Sequence, residues 1–527
     1  MKPETHQSVP AQSQVQQMQV ALNYLQKNHP DAGSWNIQLP NSRQTTTEVT
    51  IRAVGEDPKA RRGGTRITLD SATGEVIEPR DTRGGGFLYR FHFELYGLPR
   101  LWTRWLVGIA TMFMLVAIVS GIITHKKIFK DFFTFRSGKG QRSWLDAHNA
   151  TAVFALPFHL MITFSGLLLL MFMFMPWGIN QAYENRQQFL RDQQASMIEQ
   201  PQKAEDVPRE GRGQHEGERT DRGERGQQRG EHTEGHGEER PQPELRPAPL
   251  TDLAPIMAAV QQQWKDNPIA SINIISPNTD QAKIEFRALR AESVAHRNVY
   301  ATLNYNGVTG QDETDKNIRI KNPSIPSGIY NVVTVLHEAR GLDLALRWLL
   351  FCSGILGTLM VATGLILWCV KRAPQQQKQG YKSFGFRLVE VLNIAAIIGL
   401  PLACAAYFYA NRFIPADVEM RLNWEIRSFF TVWLLTLIYA IFRTHRQAWL
   451  DLLLLATLAF ALLPVVNLMT GGQALWNSIP QGQWMIASVD LAMWVMAVIF
   501  YFAYDKVKKH QGLPNKKVKA PVQEAEA

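Results

Sequence analysis

The chain has 527 residues, of which 46% are hydrophobic and 19% charged, and a formal net charge of +10. A balance of that sign suits a nucleic-acid binder. The basic residues, however, sit in short loops between long apolar segments, which excludes that class and points to a membrane protein carrying polar modules.

The first ~85 residues read as a small polar module. A helix is predicted over 15–27, then alternating strands at 35–39, 48–54 and 65–69, closing on Asp70-Ser-Ala-Thr-Gly-Glu-Val. The same order returns later, with a helix at 252–265, strands at 271–275, 282–288 and 299–303, and Tyr305-Asn-Gly-Val-Thr-Gly at the end. Each copy is followed by an isolated histidine, in Arg90-Phe-His92-Phe-Glu-Leu-Tyr-Gly and Val335-Leu-His337-Glu-Ala-Arg-Gly. An apolar helix with an early tryptophan (Trp105, Trp348) comes next in both. A repeat of this kind bounds the fold before any single residue does.

Seven segments are long enough to cross about 30 Å of hydrocarbon: 105–124, 151–177, 344–370, 388–410, 429–442 (completed by 422–427), 449–469 and 484–504. Lys126, Lys127, Lys130, Arg136, Lys139 and Arg142 crowd one loop, and Lys371, Arg372, Lys378, Lys382 and Arg387 another. Arg443, Arg446 and the tail 506–519 follow, while the alternate loop 470–483 carries no charge. This is the positive-inside pattern. It predicts both modules in the periplasm of a bacterial inner membrane and a cytoplasmic C-terminus.

The domain plan is therefore a periplasmic module at 1–85, a histidine-bearing hairpin at 86–177 and a periplasmic segment at 178–249. A second module at 250–335, a histidine-bearing helix at 336–372, a four-helix region at 373–505 and a basic tail at 506–527 complete it. The first module needs translocation, yet no start-transfer helix precedes it, so an eighth helix upstream is expected in the intact form. Residues 200–249 are rich in Glu, Arg, Gly, Gln and Pro and are expected to be disordered. The spacing of His215, His232 and His236 within them matches no compact metal site. Cys352, Cys369 and Cys404 all fall in apolar helices, so no disulfide framework is expected and each reads as a small buried side chain.

The candidate cofactor-binding residues are His92, His125, His148, His159 and His337. Ionisable groups at membrane depth are costly and commonly functional, although a lone histidine at an interface is also an ordinary snorkelling side chain. His148 and His159 are eleven residues apart. On one continuous helix that is about 1100° of rotation, so both face the same way. A span starting near Pro157 puts His159 at the inner interface opposite His125. His148 is the alternative, about 16 Å further along. His92 and His337 fall at the outer interface. Histidines from different helices at one depth suit axial ligation of haem iron, and the absence of Cys-x-x-Cys-His makes any haem non-covalent, b type.

Other signals are weaker. Ser137-Gly-Lys-Gly-Gln-Arg-Ser lacks the glycine of a phosphate loop, position 133 being Phe, and its basic residues read as lipid-headgroup contacts. No Gly-x-Gly-x-x-Gly follows a predicted strand, so no intrinsic flavin or NAD site is expected. Electrons would come from a quinol or a separate flavoprotein. Asp490 reads as hydrogen-bonded within the helix bundle, with a proton relay as the alternative.

Three stretches carry a resemblance: Gly121-Ile-Ile-Thr-His-Lys-Lys-Ile-Phe-Lys-Asp-Phe-Phe-Thr-Phe-Arg, Gly140-Gln-Arg-Ser-Trp-Leu-Asp-Ala-His-Asn and Leu156-Pro-Phe-His-Leu-Met-Ile-Thr. With the flanking modules they resemble the PepSY-associated transmembrane family of bacterial inner-membrane proteins, which includes iron-regulated membrane proteins and ferric-siderophore reductases. The likeness runs from the first residues to about Lys371. It implies an α-helical integral membrane protein with two α+β PepSY-like periplasmic modules and two haems b, passing electrons outward to a ferric siderophore. The family begins with a helix carrying a Leu-His motif, which this chain lacks. Two other classes are weighed: a haem-free PepSY protein that binds peptide, regulates a protease or acts as a sensor, and a transporter, disfavoured because the later helices lack paired Gly/Pro breaks.

Overall fold

The computed structural model describes residues 13–41, 44–58, 63–78, 80–124, 141–181, 183–184, 188–189, 191–192, 197–199, 245–315 and 319–510. His125, most of the basic loop before Arg142, and residues 200–244 of the expected disordered insertion lie outside them.

Helix α1 (Gln14–Asn28) starts on a capping box in which Ser13 and Gln16 satisfy each other's exposed N–H groups. Met18, Ala21, Leu22 and Leu25 form its buried stripe at helical spacing. Strands β1 (Ser34–Gln38), β2 (Thr47–Arg52) and β3 (Thr65–Leu69) follow as antiparallel neighbours. The second copy supplies α6 (Leu253–Trp264), capped by Asp252, then β4 (Ile269–Ile275), β5 (Lys283–Ala291) and β6 (Tyr300–Asn306).

The two modules do not stand apart. β1 pairs antiparallel with β4, Asn36 opposite Asn273, giving one six-stranded sheet in the order β3-β2-β1-β4-β5-β6. A three-stranded module alone leaves β1 as an open edge, and pairing edge to edge removes both edges at once. One apolar core serves both halves, with Trp35, Ile37 and Val49 from the first meeting Ile272, Ile274 and Phe286 from the second. The repeat extends to hydrogen bonds. Asp70 Oδ1 accepts from the N–H groups of Ala72 and Thr73, and Asn306 Oδ1 from those of Val308 and Thr309. Gly74 and Gly310 close these turns at φ +76° and +70°, where a side chain is strained.

Two short helices extend the repeat beyond its sequence reading. Helix α2 (Gly84–Phe91) ends on His92, and α7 (Ile325–Glu338) carries His337 in its last turn. The spans are α3 (Arg100–Thr124), α8 (Leu344–Gln379), and α9 (Phe384–Ile394) continued by α10 (Leu400–Phe413). They are completed by α11 (Arg421–Phe442), α12 (His445–Met469) and α13 (Trp484–Lys509). Between α9 and α10 a π-helical turn, Ala395–Gly399, precedes Pro401, which has no N–H to continue an α-helical ladder. Among the described residues these are six helices long and apolar enough to cross a membrane.

The second predicted span, 151–177, is not one rod. It is α4 (Gln141–Phe154) and α5 (Leu156–Leu169), bent by 67°. Pro157 in the first turn of α5 cannot bond back into α4, so the helix restarts there. The continuous-helix geometry expected for His148 and His159 is corrected accordingly. Cysteine burial also differs among the three. Cys369 is buried and Cys404 half-buried, but Cys352 lies exposed on the helix surface.

Candidate functional site

His92 and His337 meet beside the sheet domain. Their ring centroids are 6.4 Å apart, with the planes tilted by 49°. Two imidazoles on opposite sides of one metal ion, each with a metal–nitrogen bond of about 2 Å and about 1.1 Å more to the ring centre, have centroids about 6.2 Å apart. The observed centroid separation is close to that value.

The His337 ring is anchored from behind. Nδ1 of His337 lies 2.6 Å from the Ser165 hydroxyl of α5, and the ring also meets the Ile162 backbone of the same helix. Gly166 lies against the same ring, where a Cβ would make ordinary contact with His337 Cε1 at 3.4 Å. Glu338 next to it is tied to Arg297 at 2.5 Å. Burial, and then the facing His92, hold His337 below the ordinary histidine pKa, so it stays neutral, the form that binds iron. On the other side Glu94 takes Arg104 at 2.9 Å and Arg100 at 3.3 Å, fixing the loop after His92 to the start of α3.

A second group lies deeper. His159 on α5 is 1% exposed, and among the described residues neither ring nitrogen has a hydrogen-bond partner. One turn on, the Thr163 hydroxyl is also buried and unpartnered. A buried polar group without a partner costs about 1–3 kcal/mol, so two such residues on one helix face suit a site completed by a ligand. The ring abuts Gly357 of α8, where a Cβ would stand 3.2 Å from His159 Nε2. Gly357 is about 20 Å along α8 from its start, which is mid-span rather than at the interface.

His148 packs on the same helix two turns further along. Its Nδ1 lies 2.9 Å from the Met360 carbonyl, and a Cβ at Gly364 would stand 3.1 Å from its Cε1. Gly357 and Gly364 are about 10 Å apart on the axis, too far for His148 and His159 to share one ion. The structure thus brings His92 and His337 together, separates His159 from His148, and leaves His125 outside the described residues.

Ser165, Thr163 and the glycines facing the imidazoles escape a reading built on histidines, because their role appears only when α4 and α5 are packed on α7 and α8. Two polar networks in the last helices were also missed. Glu390 is buried and takes Lys382 at 2.8 Å and Arg387 at 3.4 Å. Arg421 and Glu425 form a buried pair at 2.6 Å, signalled in the sequence only by opposite charges four residues apart at the start of a span. Asp490 does have the partner expected of it, Asn467, at 3.4 Å.

Residues 1–371 match the family model described as PepSY-associated TM region. No curated protein matches the chain.

Proposed function

The chain belongs to the PepSY-associated TM region family, and from that premise we propose that it is a b-type haem protein of the bacterial inner membrane that passes electrons outward to a ferric chelate. The observation that carries this reading is the His92–His337 pair, 6.4 Å between ring centres and backed by Ser165. His92 and His337 would hold one haem, and His159, with its unpartnered nitrogens, would hold a second. Haem supplies one-electron transfer through its iron. The chain's own part is to keep His337 neutral and in one tautomer, to fix His92 through the Glu94–Arg104 ion pair, and to bury His159 away from water. Ferrous iron is held less tightly than ferric iron by hard oxygen ligands, so reduction outside the membrane would loosen a siderophore complex. The electron donor would be a membrane quinol or a separate flavoprotein.

Visible spectra of the purified chain, oxidised and dithionite-reduced, test the reading. Two b-type populations are expected, one of which is lost in His337→Ala. Protein isolated from haem-replete cells with no haem absorbance would overturn it.

A second reading, a haem-free module that binds peptide or regulates a protease, draws on the sheet. Its face away from α1 and α6 carries polar side chains such as Arg66, Thr68, Lys283 and Glu285, a surface suited to an extended polar partner. Normal function of a His92→Ala/His337→Ala double variant would favour it.

A further inference from the structure

Helix α2 has little reason to form on its own. It opens with Gly84, Gly85 and Gly86, each costing about 1 kcal/mol relative to alanine in a helix. Arg83 provides no side-chain cap, and Gly84 sits at φ +51°. Yet this helix delivers His92. What holds it comes from the far end of the chain, beyond the residues matched by the family model.

Glu425 on α11 is 0% exposed. Its Oε2 accepts from the Thr82 hydroxyl and the Arg83 N–H, both at 3.0 Å, and its Oε1 accepts from Asn411 at 2.9 Å and Arg421 at 2.6 Å. Arg421 also donates to the carbonyls of Asp81, Asn411 and Ile414. The Tyr407 hydroxyl donates to the Gly84 carbonyl at 3.0 Å. One turn further, Phe87 packs on Tyr407 and Phe429 with ring centroids 5.3 and 5.2 Å away. The Asp81 carbonyl, the Thr82 hydroxyl, the Arg83 N–H and the Gly84 carbonyl are thus held by α10 or α11, while the Gly84 N–H donates locally to the Thr82 hydroxyl at 3.0 Å. A buried ion pair is a poor source of net stability compared with apolar packing, but removing one partner is costly. Here the carboxylate does what an apolar side chain cannot, by binding one backbone N–H and one hydroxyl and so fixing the register of the helix that follows.

We propose that Glu425, braced by Arg421, is a positioning residue that sets the placement of His92 against His337, so that the C-terminal helices govern the outer haem site. This rests on the reading of His92 and His337 as a ligand pair.

The test uses the full chain with Glu425→Gln and the milder Thr82→Val, which leaves the ion pair intact. The first readout is amide hydrogen exchange, which does not depend on haem. Exchange over 84–92 should rise roughly tenfold or more in Glu425→Gln, and less in Thr82→Val, with the β-sheet and α8 unchanged. The second is the midpoint potential and low-spin spectrum of the haem lost in His337→Ala, which should shift in Glu425→Gln while the haem lost in His159→Ala keeps its values. Unchanged exchange over 84–92 in both variants overturns the proposal. So does an equal rise throughout the helices in both. Wild-type haem content in His92→Ala would instead overturn the ligand reading, and the exchange result would still decide whether Glu425 holds α2.

Discussion

The Ser165 hydroxyl lies 2.6 Å from Nδ1 of His337, tying α5 to α7 at the level where the His92 ring arrives. Groups behind a ligating histidine fix its tautomer, and their loss commonly costs 10–100-fold in metal affinity. If His337 is a haem ligand as proposed, Ser165→Ala should therefore raise the haem dissociation rate there by roughly that range. Transfer of haem to an acceptor apoprotein measures it, and a rate equal to wild type would leave Ser165 as packing only.

His159 is expected to be a ligand, and its substitution separates that role from a merely tolerated buried polar group. His159→Leu should remove about half the reduced-haem absorbance while raising the thermal stability of the apo form, because a group whose burial costs about 1–3 kcal/mol is gone. Gly357→Ala should act on the same haem, since its Cβ would stand 3.2 Å from the ring. Full haem content in both variants would remove His159 from the site.

The single sheet makes its own prediction. Ile272 lies in the second half of the repeat but in the common core, opposite Ile37 across the β1–β4 junction. Ile272→Ala should cost about 2–5 kcal/mol. Hydrogen exchange should quicken in β2 and β3 as much as in β5 and β6. Exchange confined to the second half would mean two independent modules.

His337 should make the apo protein acid-sensitive. Its folded pKa is lowered, first by burial and then by His92, from the ordinary 6.5. The unfolded chain thus binds the proton more readily, and this group's contribution to stability is complete above pH 6.5, then lost as pH falls toward the folded pKa. The thermal midpoint of the apo protein should drop between about pH 7 and 5, and less so in His337→Gln. Parallel curves for the two proteins would show that other groups carry the acid response.

Much of the architecture was written along the chain. Period-two alternation and turn chemistry located both α-β-β-β units to within a few residues, because strand faces and Asx-type turns are local properties. Apolar length marked the spans, since hydrocarbon thickness sets their size whatever they pack against. The repeat itself pointed to His92 and His337 as equivalents. Distance along the sequence, however, says nothing about which edges pair or which side chains meet. That β1 joins β4, that Pro157 bends the second span and sets His159 against Gly357, and that Ser165 stands behind His337 were decided only by packing. Glu425 and Thr82 are 343 residues apart, and only packing brings that buried carboxylate to the start of a helix whose three opening glycines give it poor propensity.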